Sequence, residues 1–138
     1  MLTDYSDLEK EIEDAPETKT LPRGSEVKAR IIAVYPGENE STGVRFYRLV
    51  FDIPAQPEVK EFQIFMNELE DREKMEANHR RKALRNFGDF RIAFGLDISR
   101  PFSWEDDLIN LEGWVILGVK KSDEYGDQNT VSRFVVGK

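Results

Sequence analysis

Residues 44–54 place an aromatic ring and a guanidinium side by side, in a segment whose alternation predicts a β-strand. Period-two geometry puts Phe46 and Arg48 on one face of that strand. The other face carries the residues expected in a core, which are Tyr47, Leu49, Phe51 and Ile53. A ring next to a cation is the combination that stacks nucleic-acid bases and neutralises their phosphates. The alternative is a strand buried on both faces, with an arginine whose charged end reaches solvent.

Other residues extend this candidate nucleic-acid interface onto neighbouring strands. Phe65 lies in phase with Glu61 and Gln63 on the polar face of the next predicted strand, so its ring is expected to point outward. Tyr125 falls at a loop tip, where an aromatic side chain gains little packing. For the two adjacent lysines at 120 and 121, protection of a sheet edge and solubility explain the charges equally well. The complete predicted set is Lys28, Arg30, Phe46, Arg48, Phe65, Lys120, Lys121, Tyr125 and Arg133.

The remaining aromatic and basic groups fit structural roles better. Tyr35 and Tyr47 are predicted to lie in the core or at its rim. The only basic cluster, residues 80–82 with Arg85, falls on a predicted helix and is balanced by acids before it. Such charge runs usually form a solvated helix face, so the cluster stays outside the predicted site.

The sequence contains no recognisable catalytic or metal-binding pattern. His79 is the only histidine and stands among polar helix residues. The three adjacent carboxylates at 105–107 point in different directions on a helix and suit its first turn electrostatically. A phosphate-binding glycine loop, a nucleophile elbow and a ligand set with metal spacing are all missing. We therefore expect a protein that is not an enzyme and that uses no metal or cofactor.

Composition predicts one folded domain with unevenly distributed charge. A chain of 138 residues with 39% hydrophobic residues can bury a modest core, and its net charge is −7. Residues 1–19 hold seven of the acids and two lysines, so the predicted strands are close to neutral. Residues 1–20 are expected to form an acidic, mobile N-terminal arm. With no cysteine and no long apolar run, the sequence predicts no disulfide, no membrane span and a cytoplasmic protein.

Five strands are predicted in the remaining domain, residues 21–138. They are expected over residues 25–35, from residue 44 to about 54, and over residues 59–66, 114–121 and 129–136. Alternation along the first strand predicts that Val27, Ala29, Ile31 and Ala33 share its buried face, with Lys28, Arg30, Ile32 and Val34 opposite.

A helical insert is predicted over residues 67–111. Asn67 with Glu70 resembles a capping box at the start of a charged helix, and Gly95 is a plausible terminator. Ser103 with Asp106 is expected to cap a second, shorter helix. The residues expected to face the core from the long helix are Leu84, Phe87, Phe90, Ile92 and Phe94.

The element order predicts a mainly-β α+β fold, with a helix inserted between the third and fourth strands. Five antiparallel strands in this order are typical of the OB-fold, a partly open Greek-key barrel. That fold binds oligonucleotides or oligosaccharides on the face of strands 2 and 3, flanked by the loops joining strands 1–2 and 4–5. In this chain those loops are residues 36–43 and 122–128.

Several segments together resemble one family of small phage-encoded proteins. They are the acidic leader with Asp4 and Tyr5, residues 21–27, the aromatic second strand, residues 94–97, residues 108–119 and the closing hairpin with residues 129–131. Members of that family were long catalogued without a function. They are associated with single-stranded-DNA binding in phage replication and recombination. The resemblance implies an OB-fold, binding without catalysis and a location in the host-cell cytoplasm.

These observations predict a protein that coats single-stranded DNA, with phage replication or recombination proteins as further candidate partners. The acidic arm is then either an intramolecular mimic of DNA or a dock for those proteins. The alternative is a protein-interaction or assembly module on the same barrel, which the negative charge favours. A saccharide-binding barrel has thinner support, from Gln63 and Phe65 alone. Whether the protein forms a homo-oligomer is left open by the sequence.

Overall fold

A computed structural model describes residues 1–15, 18–124 and 126–137 of the chain. Its strands are Glu26–Glu38 (β1), Arg45–Asp52 (β2), Phe62–Asn67 (β3), Glu112–Lys120 (β4) and Gln128–Phe134 (β5). Its α-helices are Glu9–Glu13 (α1), Ala77–Phe94 (α2) and Trp104–Asp107 (α3), and 3-10 helices span Ser6–Leu8 and Leu69–Lys74.

The strands form one antiparallel sheet in the order β3-β2-β1-β4-β5. The long strand β1 pairs with β4 along its first part and with β2 along its second part. The two edge strands, β3 and β5, approach each other, but in the described residues no hydrogen-bonded ladder joins them. The predicted mainly-β fold with a helix between the third and fourth strands is confirmed, and its sheet is open.

A β-bulge in β1 changes which residues of the strand are buried. Ile31 pairs with Phe51 and Ala33 with Val50, so Ile32 is an extra residue opposite β2. Beyond the bulge the alternation is shifted by one position, and Val34 is buried in place of Ala33. The predicted phase is therefore correct from Val27 to Ile31 and wrong after it, because an inserted residue reverses the side on which every later side chain points.

Helix α2 supplies an aromatic stripe to the core. Phe87, Phe90 and Phe94 are buried, and the ring of Phe90 lies 5.5 Å from that of Phe134 on β5. The ring of Phe94 lies 5.7 Å from that of Phe51 on β2. The helix therefore packs its stripe directly on the inner face of the sheet.

Two residues predicted to face the core from this helix are exposed instead. Ile92 is two positions from Phe90, so it lies about 200° around the helix, on the opposite side. Leu84 lies one turn before Phe87, beyond the covered part of the stripe.

The predicted ends of the helices are partly confirmed. Gly95 ends α2 in the left-handed conformation with φ 68°, and Ser103 caps α3 by accepting a hydrogen bond from the backbone N–H of Asp106. The capping box at Asn67 is wrong, because α2 begins ten residues later at Ala77. Asn67 closes β3, and the side chain of Glu68 caps the 3-10 helix that follows.

The N-terminal segment joins the domain at Lys19. Residues 1–15 are all exposed, and α1 is one short turn within them. Lys19 forms a parallel bridge with Val59 just before β3, and its Nζ lies 3.4 Å from Glu58 Oε1. Two residues later, the backbone of Leu21 exchanges two 2.9 Å hydrogen bonds with the side chain of Asn129 on β5. Residues 19–21 thus cross from the beginning of β3 to β5.

None of the helices described has the length and apolar character needed to cross a bilayer.

The aromatic stripe of α2 predicts unequal effects of two substitutions on the same helix. Phe90→Ala removes a fully buried ring and should lower the free energy of unfolding by about 3–5 kcal/mol. Leu84→Ala, at an exposed position, should change it by less than about 0.5 kcal/mol. Urea denaturation followed by circular dichroism measures both values. Equal effects of the two substitutions would contradict the described packing.

Candidate nucleic-acid interface

The outer face of the sheet carries a groove with a volume of about 880 Å³. Strands β1, β2 and β3 form one wall, and the β4–β5 hairpin forms the other. We call it the sheet groove. The side chains on which its chemistry depends are Tyr35, Arg48, Gln63, Phe65, Lys120 and Arg133.

Arg48 is the centre of a row that crosses three strands. It pairs with Tyr35 on β1 and with Phe65 on β3, so the three residues are cross-strand neighbours. The Arg48 guanidinium carbon lies 4.4 Å from the centroid of the Tyr35 ring, which is a cation–π contact. Its Nη1 donates a 2.8 Å hydrogen bond to Gln63 Oε1. These contacts orient the cation, while a guanidinium with five N–H donors can still bind a phosphate oxygen.

Two aromatic rings in this row are open to solvent. Phe65 is 59% exposed and Tyr35 is 49% exposed. Both flank the guanidinium of Arg48. Each offers a face on which a base can stack.

Phe46 packs against two neighbouring strands of this surface. Its ring covers Gly37, the residue opposite it on β1, where an added Cβ would lie 2.5 Å from Phe46 Cζ. The ring meets Phe65 in a T-shaped contact with centroids 5.6 Å apart. Phe46 is half-buried, so it is neither sealed in the interior nor fully open, and it braces the more exposed ring of Phe65.

The charge of the sheet groove is opposite to that of the whole chain. Arg48, Lys120 and Arg133 line it with three cationic groups, and Glu61 is the one carboxylate among its described lining residues. The net charge of the protein is −7, yet this surface is locally positive. The local field, rather than the total charge, acts on a phosphate bound there.

The other predicted site residues lie away from this groove or outside the described chain. Arg30 forms a bidentate pair with Asp52, at 3.0 and 2.6 Å, and this contact raises the pKa of Arg30. Its charge is therefore already balanced. Lys28 is exposed on β1 opposite Trp114, and Lys121 is exposed just beyond β4. Tyr125 lies outside the described residues.

The structure thus brings together Arg48, Phe65, Lys120 and Arg133, with Phe46 beside them. Tyr35, predicted for the core or its rim, lines the groove as well. Alternation alone placed Tyr35 in phase with Val27 and Ile31, and the bulge moved it to the outer face. No signal in the sequence marks the bulge.

An ion pair between the exposed Arg45 and the buried Asp71 holds the beginning of β2 in place. Arg45 donates its backbone N–H to Asp71 Oδ2 at 2.8 Å, and its guanidinium donates to both carboxylate oxygens at 2.9 Å. These hydrogen bonds hold the pKa of Asp71 far below its usual value. Lys74 Nζ donates to the carbonyl of Gly43 at 3.1 Å, so the loop before β2 is fastened to the same 3-10 helix.

In the described part of the chain, no three His, Asp or Glu side chains cluster in a way that could hold an ion. A scan against models of protein families finds no match for this chain, and neither does a search of curated protein sequences. The resemblance to phage proteins therefore stays a prediction.

The Arg45–Asp71 pair predicts a pH-dependent loss of stability. The folded pKa of Asp71 lies below its unfolded value, so the ionised carboxylate stabilises the fold above about pH 4. That contribution is lost as the pH falls toward the folded pKa. Asp71→Asn should be less stable than the wild type at neutral pH, and the difference should shrink below about pH 4.

Urea midpoints of both proteins from neutral pH to about pH 3 measure this difference. Asp7→Asn, in the exposed N-terminal segment, is the control and should match the wild type throughout. A gap between wild type and Asp71→Asn that stays constant with pH would contradict the role assigned to the ion pair.

Proposed function

We propose that this protein binds single-stranded DNA in the sheet groove, without catalysis, and that its sheet is an OB-fold barrel. The strand order β3-β2-β1-β4-β5, with the two edge strands close together, supports such a partly open barrel. The proposed interface lies on the face of strands 2 and 3, where OB-folds bind oligonucleotides. In OB-folds the loops joining strands 1–2 and 4–5 flank this face. Here Lys120 and Gln128, at the two ends of the β4–β5 loop, line the groove.

The observation that carries the proposal is the row of Tyr35, Arg48 and Phe65. Neighbouring strands lie about 4.8 Å apart, so the row presents ring, cation and ring at short and regular intervals. Bases can stack on the two rings while the guanidinium and the nearby Lys120 and Arg133 neutralise the backbone. Because every base has a flat face, this arrangement favours binding that tolerates any sequence.

The biological setting follows from the resemblance rather than from the geometry. Proteins with this combination in a phage would coat and protect single strands in replication or recombination, in the cytoplasm of the host cell. Replication or recombination proteins would then be further partners. Phosphodiester chemistry is not part of the proposal, because the resemblance implies binding without catalysis.

The second candidate is a protein-interaction or assembly module that does not bind nucleic acid. The net charge of −7 and the exposed acidic segment favour it. The sheet groove disfavours it, because exposed rings beside cations suit the bases and phosphates of nucleic acid.

Fluorescence polarisation with labelled oligo-dT separates the two candidates. The proposal predicts binding at low salt, with log K falling against log salt with a slope of about −2 for three phosphate contacts. A duplex of the same length should bind more weakly, because its bases are already stacked on one another. No binding of oligo-dT at low salt would reject the proposal and favour the interaction module.

The two exposed rings predict a loss of affinity when either is removed. Phe65→Ala and Tyr35→Ala should each weaken oligo-dT binding by about 5- to 150-fold, the equivalent of about 1–3 kcal/mol for one stacked base. Tyr5→Ala removes an exposed ring from the N-terminal segment and is the matched control, expected to bind as the wild type does. If all three variants bind alike, the rings of the sheet groove do not stack bases.

A further inference from the structure

A second groove lies between helix α2 and strand β5, with a volume of about 800 Å³. We call it the helix groove. The side chains used in the following argument are Asn67, His79, Lys82, Arg85, Asn86 and Arg133. Its first wall is held by a 2.9 Å contact between Asn67 Nδ2 at the end of β3 and His79 Nε2 on α2.

The helix groove adjoins the sheet groove. Four residues line both of them, Asn86 from α2 and Ser132, Arg133 and Phe134 from β5. A polymer that leaves the sheet groove past Asn86 and Arg133 therefore reaches the helix groove next. The two grooves together form a path longer than the sheet alone provides.

The chemistry of the helix groove suits a backbone rather than bases. Lys82 and Arg85 are exposed on α2 and join Arg133 to give three cations, against the two carboxylates of Glu76 and Asp89. The rings among the described lining side chains are that of Phe134, which is buried, and the imidazole of His79, which contacts Asn67. The groove therefore offers mainly cations for phosphates, and the imidazole of His79 is the one exposed ring in its described lining.

The basic cluster on α2 divides into groups with different tasks. Arg80 points back toward the preceding turn, with Nη2 donating to the carbonyl of Met75 at 3.4 Å. Arg81 bonds Asn78 and, with Lys82 and Arg85, lines a smaller cleft of about 270 Å³ beside the helix groove. The cations at 81, 82 and 85 thus continue the positive path beyond Arg133.

We propose that a single strand held in the sheet groove continues past Asn86 and Arg133 into the helix groove, where Lys82 and Arg85 bind its phosphates. This inference rests on the proposed function. It assigns a binding role to the helical insert, and it divides the interface into a stacking part and a phosphate part. Short strands would then use the first part alone, and longer strands would use both.

Oligo-dT of two lengths tests the inference, one of about 5 nucleotides and one of about 16. The two lengths lie near the lower and upper limits of OB-fold site sizes. Lys82→Gln/Arg85→Gln should bind the short strand as the wild type does and the long strand several-fold more weakly. For the long strand, the salt slope should fall in magnitude by about 1.4, or about 0.7 for each lost phosphate contact. The charge-preserving pair Lys82→Arg/Arg85→Lys should restore both values.

Arg91→Gln/Arg100→Gln is the matched control, because it removes the same charge from exposed positions that do not line either groove. It should leave the affinity for both lengths unchanged. Two results would overturn the inference. One is an unchanged affinity of Lys82→Gln/Arg85→Gln for the long strand, and the other is an equal loss of affinity in this variant and in Arg91→Gln/Arg100→Gln. If the wild type binds neither length, the proposed function itself fails.

A measurement on the wild type alone keeps the inference testable should the double variant fold poorly. The salt slope for the long strand should exceed that for the short strand by at least the contribution of two phosphates, about 1.4. Equal slopes for the two lengths would show that no cations beyond the sheet groove are used, and would overturn the inference without any variant.

Discussion

Strand β1 pairs with two neighbours along different parts of its length, and its bulge lies just after the ladder with β4 ends. Its first residues form a ladder with β4, and its later residues form a ladder with β2. A bulge bends the strand that carries it and increases its twist. Placed between Ile31 and Ala33, it curves the sheet where β1 passes from one partner to the other. The extra residue, Ile32, also reverses the side on which the later side chains of β1 point. Val34 therefore lies in the core and Tyr35 lines the groove.

The curvature gives the two faces of the sheet separate tasks. The inner face is closed by the stripe of Phe87, Phe90 and Phe94, so the helix that follows β3 completes the core. On the outer face the exposed rings and cations of the sheet groove remain available. Residues 19–21 cross from β3 to β5, because Lys19 pairs with Val59 just before β3 and Leu21 bonds Asn129 on β5. A chain that is acidic overall thus keeps a positive surface, because its charges are sorted by the fold.

Much of this arrangement could be predicted where local pattern is enough. The inward phase of Leu49 and Phe51, the end of α2 at Gly95 and the cap at Ser103 each depend on a few neighbouring residues. Prediction failed where distant residues decide. Arg30 was predicted to bind phosphate, but the fold places Asp52, 22 positions later in the chain, beside it, and the two side chains form an ion pair. Asn67 looked like a helix cap, but pairing with β2 kept it in a strand.

Local sequence was enough to predict the class of fold, the order of its elements and the presence of a ring and a cation on the outer face of β2. These follow from alternation, turn residues and caps, which act over a few positions. Which rings are exposed, which cations are already paired and which surfaces meet depends on how the elements pack together. The bulge in β1, the cross-strand row around Arg48 and the junction of the two grooves at Arg133 depend on residues far apart in the chain. Local periodicity carries no information about such contacts, because they are created when the strands pair and the helix packs against them.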